Sequence, residues 1–274
     1  MSRNVLVVVG TEGRGVVIAR RQGCGRQVRL ADADATALEV RVDGLDGLDG
    51  KGCDVSGFPV DVGGGGFAEG AGRARIRARR CGPGRPHSRC VAGAREPGGD
   101  PSSRAPRVAL SLDIVDGVAD PGDAGVVIAS MAGHVFGPLR ADQAAAVAAT
   151  AAPDLLGWGF LHADVASTPD LANGIAQQPN HIRGRAAARS WSARSAGINS
   201  ISPRVIATAM GRQELADASA ETMRSMIEGS VTERVGTAPD ITAATAFLGR
   251  ESSFVPRTDL LVDGGVVATV AAQG

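Results

Sequence analysis

The feature that most constrains this chain is its first 34 residues, where a strand, a glycine turn, a helix, a second strand and an acid follow in order. Residues 5–9 form an unbroken aliphatic run, typical of a parallel strand buried on both faces. Three glycines follow, and residues 16–19 continue as a helix. Residues 28–31 predict a second strand that ends at Asp32. The stretch therefore predicts one βαβ unit.

A βαβ unit with a glycine turn is suited to binding a dinucleotide. Gly10, Gly13 and Gly15 allow the backbone to approach a pyrophosphate, to which the helix N-terminus offers unpaired N–H groups. Asp32 lies about 20 residues on, where a carboxylate can accept hydrogen bonds from the adenine ribose. The G-x-G-x-x-G pattern would place a glycine at position 12, but this chain has Glu12. We therefore expect a Rossmann-type nucleotide site with weakened phosphate binding.

Composition restricts the class of protein. The 274 residues suffice for a single α/β domain, 1–274, and 29 basic residues balance 29 acidic ones, so no net charge favours nucleic acid or an acidic membrane. The first apolar run ends at Gly10 without the features of a signal peptide, and no run approaches the roughly 18 residues that span a bilayer. We expect a soluble, cytoplasmic protein with no membrane partner.

The four cysteines are scattered and include no CxxC pair. Cys81, His87 and Cys90 are close in sequence, but they provide only three ligands. We expect free thiols in a loop and no metal.

Further elements follow from periodicity and composition. Strands are predicted over 58–62, 124–130, 197–201 and 259–262, and helices over 141–152, 171–193, 213–227 and 240–248. A helix that starts between residues 33 and 38, with Asp32 or Asp34 as cap, is expected to be interrupted by the acid-glycine triplets that begin at Asp43. Asp61 would end the third strand, where an adenine ring would bind. The apolar segment 153–170 is a possible substrate flap or oligomer contact.

Residues 63–107 break this pattern. The segment is rich in arginine, glycine and proline, has no sustained period, and leaves the predicted sheet without its fourth strand. A basic nucleic-acid-binding insertion is one interpretation, but the shortage of aromatic residues to stack on bases favours an irregular segment of biased composition. We also hypothesise an out-of-frame reading of a coding sequence, which translation of the other two frames would test.

Several motifs resemble the short-chain dehydrogenase/reductase family. Ser130-Met-Ala-Gly133 after a buried strand is similar to the segment that carries its catalytic serine. Ile198-Asn-Ser-Ile-Ser-Pro203, followed by Thr208, is similar to the segment that holds the nicotinamide, and Leu261-Val-Asp263-Gly-Gly to the C-terminal signature. The resemblance implies a three-layer α/β/α fold with a doubly wound parallel sheet, disrupted around 63–107. It also implies a homodimer or homotetramer.

The resemblance further implies a catalytic serine, here Ser130, with a tyrosine as general acid/base and a lysine that lowers its pKa. Counting back from Asn199, these positions hold Asn173 and Gln177. The chain contains no tyrosine, and Lys51 is its only lysine, so no shift of register restores the pair. Neither amide exchanges a proton near pH 7. His181, two helical turns after Asn173, is the obvious substitute base.

Two functions remain open. The first is NAD-linked reduction or oxidation of a ketone or secondary alcohol, impaired by the missing pair, with Asp32 favouring NAD over NADP. Its cofactor-binding residues would be Gly10, Gly13, Gly15, Asp32 and Asp61, with Pro203 and Thr208 at the nicotinamide end. The second is a non-catalytic relative that keeps the scaffold or binds nucleotide. Arg204 and Arg257 stand where the resemblance expects glycine, which places bulk and charge at sensitive backbone positions.

Overall fold

We analysed the fold in a computed structural model that describes residues 4–9, 14–24, 26–32, 34–46, 54–59, 89–92, 123–135, 137–161, 169–208, 212, 215–216, 220–250 and 254–273. The strands are β1 Asn4–Val9, β2 Arg26–Asp32, β3 Asp54–Pro59, β4 Arg89–Ala92, β5 Ala124–Ile128, β6 Gly197–Pro203 and β7 Asp259–Val262. The helices are α1 Arg14–Gln22, α2 Ala35–Asp46, α3 Ala132–Val135, α4 Ala141–Ala149, α5 Pro169–Ser192, α6 Ala220–Glu228, α7 Ala238–Arg250 and α8 Val266–Gln273. Short 3₁₀ turns cover Ala152–Gly157 and Gly159–Leu161.

The seven strands form one sheet in the order β3-β2-β1-β4-β5-β6-β7, and every pair is parallel. The order reverses between β1 and β4, which is the crevice where open α/β sheets bind ligands. The predicted doubly wound Rossmann-type fold is thereby confirmed. No helix in the described part of the chain combines the length and apolarity needed to span a membrane.

Helices cover both faces of the sheet because consecutive strand residues point to opposite sides. On β5, Val126 belongs to a buried cluster with Ile18 of α1 and Ile241 of α7. The neighbouring Gly125 faces Trp191 of α5 instead, and a Cβ at that glycine would lie 2.7 Å from the indole ring. These contacts give three layers, α/β/α.

The fourth strand, which we predicted to be absent, is present as β4 within the arginine-rich segment. It pairs with β1 from Leu6 to Val9 and with β5 from Ala124 to Val127. Because both of its edges form hydrogen bonds to other strands, this segment is a strand although it has only four residues and no long apolar run. The remainder of 63–107, including Cys81 and His87, lies outside the described residues.

The third strand lies four residues earlier than predicted, at Asp54–Pro59 rather than 58–62. It is an edge strand, so Pro59 at its end breaks no ladder with a second neighbour. Gly57 also explains the choice of segment, since a Cβ there would lie 2.9 Å from Val42 and 3.1 Å from Leu38 of α2. The helix covers this strand only because position 57 has no side chain.

Three helix predictions also need correction. Helix α2 is capped as expected, since the Ala37 N–H donates to Asp34 Oδ1 at 2.9 Å, but it continues through Asp43 and Gly44 to Asp46. Helix α4 ends at Ala149 rather than 152. The helix expected over 213–227 is interrupted by a turn at residues 215–216, and α6 begins at Ala220.

Helix α5 runs unbroken from Pro169 to Ser192 despite Pro179 inside it. The adjacent Gln178 holds it to the loop between α3 and α4, because its Nε2 donates to Gly137 O at 2.9 Å and its Oε1 accepts from Leu139 N at 2.8 Å. This amide clamp secures the helix beside the position where proline removes a backbone donor.

The predicted flap segment 153–170 is partly anchored. Leu155 and Leu161 are buried against Val147 of α4, and Trp158 Nε1 donates to Thr150 Oγ1 at 3.0 Å. Residues 162–168 lie outside the described residues. A substrate flap in this segment therefore remains a prediction.

Candidate functional site

Ser130 follows β5 at the carboxyl edge of the sheet. The segment is fixed by two backbone bonds to β6, from Ala129 N to Ile201 O at 2.8 Å and from Met131 N to Pro203 O at 3.0 Å. Ser130 Oγ accepts a hydrogen bond from Ala132 N at 3.3 Å, which leaves its own proton available. The half-buried serine can therefore donate to a carbonyl oxygen.

The two positions that should carry the proton-transfer pair lie on α5. Asn173 is in the second turn of this helix, and its side chain lies outside the described part of the structure. Gln177 is 6% exposed, and its Oε1 accepts from Asn180 Nδ2 at 2.7 Å. The position that the resemblance assigns to a cationic ammonium therefore holds a buried neutral amide, bonded within its own helix.

His181 is buried beneath Ser130. Its Nε2–H donates to Ser130 O at 3.1 Å, and the same nitrogen lies 3.2 Å from Ser202 Oγ. Burial lowers the pKa of His181 to about 4, although the charge of Asp259 acts in the opposite direction. A weakly basic imidazole that is 3% exposed is a poor proton shuttle, which argues against the predicted role as substitute base.

A polar cluster extends from His181 to β7. His134 of α3 donates from Nε2 to Asp259 Oδ2 at 2.8 Å, and its ring lies 4.3 Å from that of His181 between centroids. Ser200 Oγ donates to Asp259 Oδ1. Burial acts to raise the pKa of the Asp259 carboxyl, but the hydrogen bond from His134, the charge of His181 and two serine hydroxyls lower it to about 2. Asp259 is therefore a carboxylate at neutral pH.

Sequence reasoning missed His134, Asp259 and Ser200 as members of one site. Ser200 and Ser202 share one face of β6, and Ser200 pairs with Asp259 in the register of β6 and β7. The sequence does not specify this register between β6 and β7, so the pairing of Ser200 with Asp259 could not be predicted. The only indication in the sequence was the i, i+2 spacing of the two serines on a buried strand, which places them on one face.

The nucleotide end of the predicted site is described in part. Gly15 is buried as the second residue of α1, and Asp32 ends β2 at the same edge of the sheet. Asp32 Oδ1 accepts from Asp34 N at 3.3 Å. Gly10, Gly13 and Asp61 lie outside the described residues.

At the predicted nicotinamide end, Pro203 ends β6 and bonds through its carbonyl to the segment that carries Ser130. Thr208 follows in the next loop, where its N–H donates to Ile206 O at 2.7 Å. The structure thus brings Ser130 and Pro203 together on neighbouring strands.

The two arginines at positions where the resemblance expects glycine differ in burial and in backbone conformation. Arg204 is 6% exposed, and its Nη2 donates to Met223 O at 3.1 Å, while burial lowers its pKa. Arg257 is exposed and adopts a φ of 62°, which lies in the left-handed region. The backbone at position 257 therefore favours glycine, whereas position 204 accommodates its side chain.

Comparison with known proteins decides the family. Residues 131–267 match the family model described as enoyl-(acyl carrier protein) reductase. A short-chain dehydrogenase/reductase from Alternaria brassicicola, bsc3, is 30% identical over 287 residues, covering 98% of this chain and 97% of that protein. The chain belongs to the short-chain dehydrogenase/reductase family.

Solved structures agree with this assignment at the level of the fold. The 3-alpha-hydroxysteroid dehydrogenase of Pseudomonas sp. B-0831, complexed with NADH, has a TM-score of 0.72 at 20% identity, with 99% of this chain and 100% of that chain covered. The L-sorbose reductase of Gluconobacter frateurii, complexed with NADPH and L-sorbose, has a TM-score of 0.66 at 15% identity, with 97% of each chain covered. This member of the short-chain dehydrogenase/reductase family therefore shares the fold of these structures, while its sequence contains no tyrosine and a single lysine, Lys51.

Proposed function

We propose that this protein binds a nicotinamide nucleotide, with NAD(H) preferred over NADP(H), and that its reduction or oxidation of a ketone or secondary alcohol is strongly impaired. The observation that carries the proposal is the pair of amides at Asn173 and Gln177 in a chain without tyrosine. A phenol near pKa 10 needs an adjacent cation to act as a base at neutral pH, and an amide supplies neither group.

The preference for NAD(H) rests on Asp32. Asp32 is the last residue of β2, at the position where the adenine ribose of a bound dinucleotide would lie. The negative charge of its carboxylate would repel the 2′-phosphate of NADP(H). We expect NADH to bind at least about tenfold more tightly than NADPH, a difference of about 1.4 kcal/mol. Calorimetric titration of folded protein with both nucleotides measures this ratio, and Asp32→Asn should reduce it. Equal affinities in the parent protein would contradict the role of Asp32.

Turnover is tested by restoring the missing pair. General acid/base groups contribute about 10²–10⁴-fold to rate, so the double variant Asn173→Tyr/Gln177→Lys should gain ketone reductase activity on this scale over the parent protein. The matched control, Asn173→Phe/Gln177→Lys, adds the ring and the cation without the hydroxyl. Activity of the repaired variant should fall again on Ser130→Ala, because Ser130 would no longer polarise the carbonyl.

The non-catalytic scaffold is the second candidate function, supported by Gln177, which is buried and accepts a hydrogen bond from Asn180 of the same helix. It predicts nucleotide binding without turnover on any ketone. Substrates for the screen should include an enoyl thioester, since the matching family model carries the description of an enoyl reductase. Parent activity that disappears on Ser130→Ala would refute the scaffold and establish an impaired enzyme.

Self-association as a homodimer or homotetramer is part of the same proposal. Phe254 is 98% exposed and Val231 80% exposed, with Phe247 also partly exposed. The family resemblance implies such an assembly, and burial of these side chains against a second copy would stabilise it. Sedimentation of the parent protein and of Phe254→Ser measures the effect, and a parent protein that is monomeric at micromolar concentration would contradict it.

A further inference from the structure

We propose that His134, His181 and Asp259 form a binding site for a divalent transition-metal ion such as Zn²⁺. Each residue offers one ligand atom, and these atoms all lie within 4.8 Å of one another. Two imidazole nitrogens with one carboxylate oxygen are a donor set that suits zinc and leaves a fourth position open. The site does not depend on nucleotide binding.

Metal binding requires the separations of the donor atoms, which all lie within 4.8 Å of one another, to change by about 1.4 Å at most. His134 Nε2 and Asp259 Oδ2 are now 2.8 Å apart, joined by the imidazole proton. Metal–ligand bonds of about 2.0–2.2 Å at tetrahedral angles separate two donors by about 3.4 Å. A metal that replaces this proton would therefore open this pair by about 0.6 Å and draw the wider pairs of the cluster together, and side-chain rotations can supply both changes.

The surroundings orient the carboxylate. Ser200 Oγ donates to Asp259 Oδ1, which leaves Oδ2 directed at His134. Hydrogen bonds of this kind fix the ligands of metal sites and strengthen binding.

A second contact fixes the ring of His181. A Cβ at Gly133 would lie 2.7 Å from His181 Cε1, so the ring takes its place only because position 133 is glycine. The ring of His181 is therefore confined against α3, and a metal bound at its Nε2 would replace the proton that this nitrogen now donates to Ser130 O.

Charge and access also fit a cation. The buried carboxylate gives the cluster a negative charge, and the side chain of Asp259 is 4% exposed, whereas that of His134 is 25% exposed. His134 is thus the most solvent-accessible of the three ligands. Because the three ligands come from α3, α5 and β7, a bound metal would link three separate elements of the fold.

The test uses the 274-residue chain, freed of metal by a chelator and then titrated with Zn²⁺ by calorimetry and with Co²⁺ by visible absorption. We expect one equivalent to bind and Zn²⁺, at a hundredfold excess over Kd, to raise the thermal midpoint by at least about 5 °C. His134→Gln and Asp259→Asn should weaken binding by more than about 100-fold. Ser200→Ala should weaken it by about 10–100-fold, because that hydroxyl only orients the carboxylate.

Two controls separate this site from others in the chain. His162→Gln tests a histidine that lies outside the described residues, and it should leave affinity unchanged. Cys81→Ser tests a thiolate site, which Co²⁺ would reveal through an intense near-ultraviolet charge-transfer band. Circular dichroism of each metal-free variant checks that it is folded, and Ser200→Ala serves if a ligand variant is not. Absence of binding by folded parent protein, binding unchanged by His134→Gln and Ser200→Ala, or loss of binding in Cys81→Ser would overturn the proposal.

Discussion

Replacing Arg257 by glycine should stabilise this protein. The residue is exposed, adopts a φ of 62° and precedes β7, where the family resemblance expects glycine. Its N–H donates to Ile198 O at 3.4 Å, so the turn is tied to β6 in this conformation. Arg257→Gly removes the Cβ that makes the left-handed region unfavourable and keeps the backbone donor.

The expected magnitude is a difference between two opposing effects. An L-residue with a side chain pays about 1–2 kcal/mol in the left-handed region. Glycine loses more chain entropy on folding, which costs about 0.5–1 kcal/mol relative to alanine. We therefore expect a net gain of about 0.5–1 kcal/mol in the free energy of unfolding. For a chain of this size, that gain raises the thermal midpoint by about 1–4 °C.

Urea denaturation measures this gain as a shift of midpoint at constant m value. Arg257→Ala is the matched control, because it removes the guanidinium but keeps the Cβ and its strain. The glycine variant should be more stable than the alanine variant, which reverses the order found at ordinary exposed positions. A glycine variant equal to or less stable than the alanine variant would refute the assignment of strain to position 257.

Three further outcomes follow from the packing, the buried histidine and the helix cap. Gly125→Ala should lower the free energy of unfolding by about 1–3 kcal/mol, because the added methyl group meets the fully buried ring of Trp191. The control is Gly197→Ala, whose added methyl group meets nothing within 4 Å. Equal effects of the two variants in urea denaturation would contradict this. Burial lowers the pKa of His181 to about 4, so between pH 6.5 and 4 the unfolded chain binds a proton that the folded chain does not. The free energy of unfolding of chelator-treated protein should therefore be about 2 kcal/mol lower at pH 5 than at pH 7.5. The same pH dependence in His181→Gln would contradict this. Asp34→Ala should cost about 1 kcal/mol in thermal unfolding through loss of the N-cap of α2, and Asp34→Asn, which keeps a capping oxygen, should cost less.

Local patterns predicted much of the scaffold. The run at residues 5–9, the second strand ending at Asp32 and the last strand at 259–262 all appear where the sequence placed them. Each is a short apolar segment with a clear boundary, so its conformation depends on little beyond its own residues. The strained φ of Arg257 also matches the expectation of glycine at that position.

The predictions that were wrong concern segments whose conformation depends on a neighbour. Strand β4 is four residues without a strong pattern, and it is a strand because β1 and β5 pair with both of its edges. Strand β3 occupies Asp54–Pro59 because Gly57 lets α2 pack closely on it. The sequence of a segment does not specify which strands or helix will pack against it.

The class of fold and the absence of the family's tyrosine could both be predicted from the sequence, because they depend only on residue types and their order along the chain. A chain with no tyrosine and a single lysine, Lys51, lacks the proton-transfer pair in any conformation. Tertiary structure alone decided the cluster of His134, His181 and Asp259, which joins a short helix, a long helix and an edge strand from positions up to 125 residues apart. Such a site exists only when parallel pairing and helix packing set the register between distant elements, and no local pattern encodes that register.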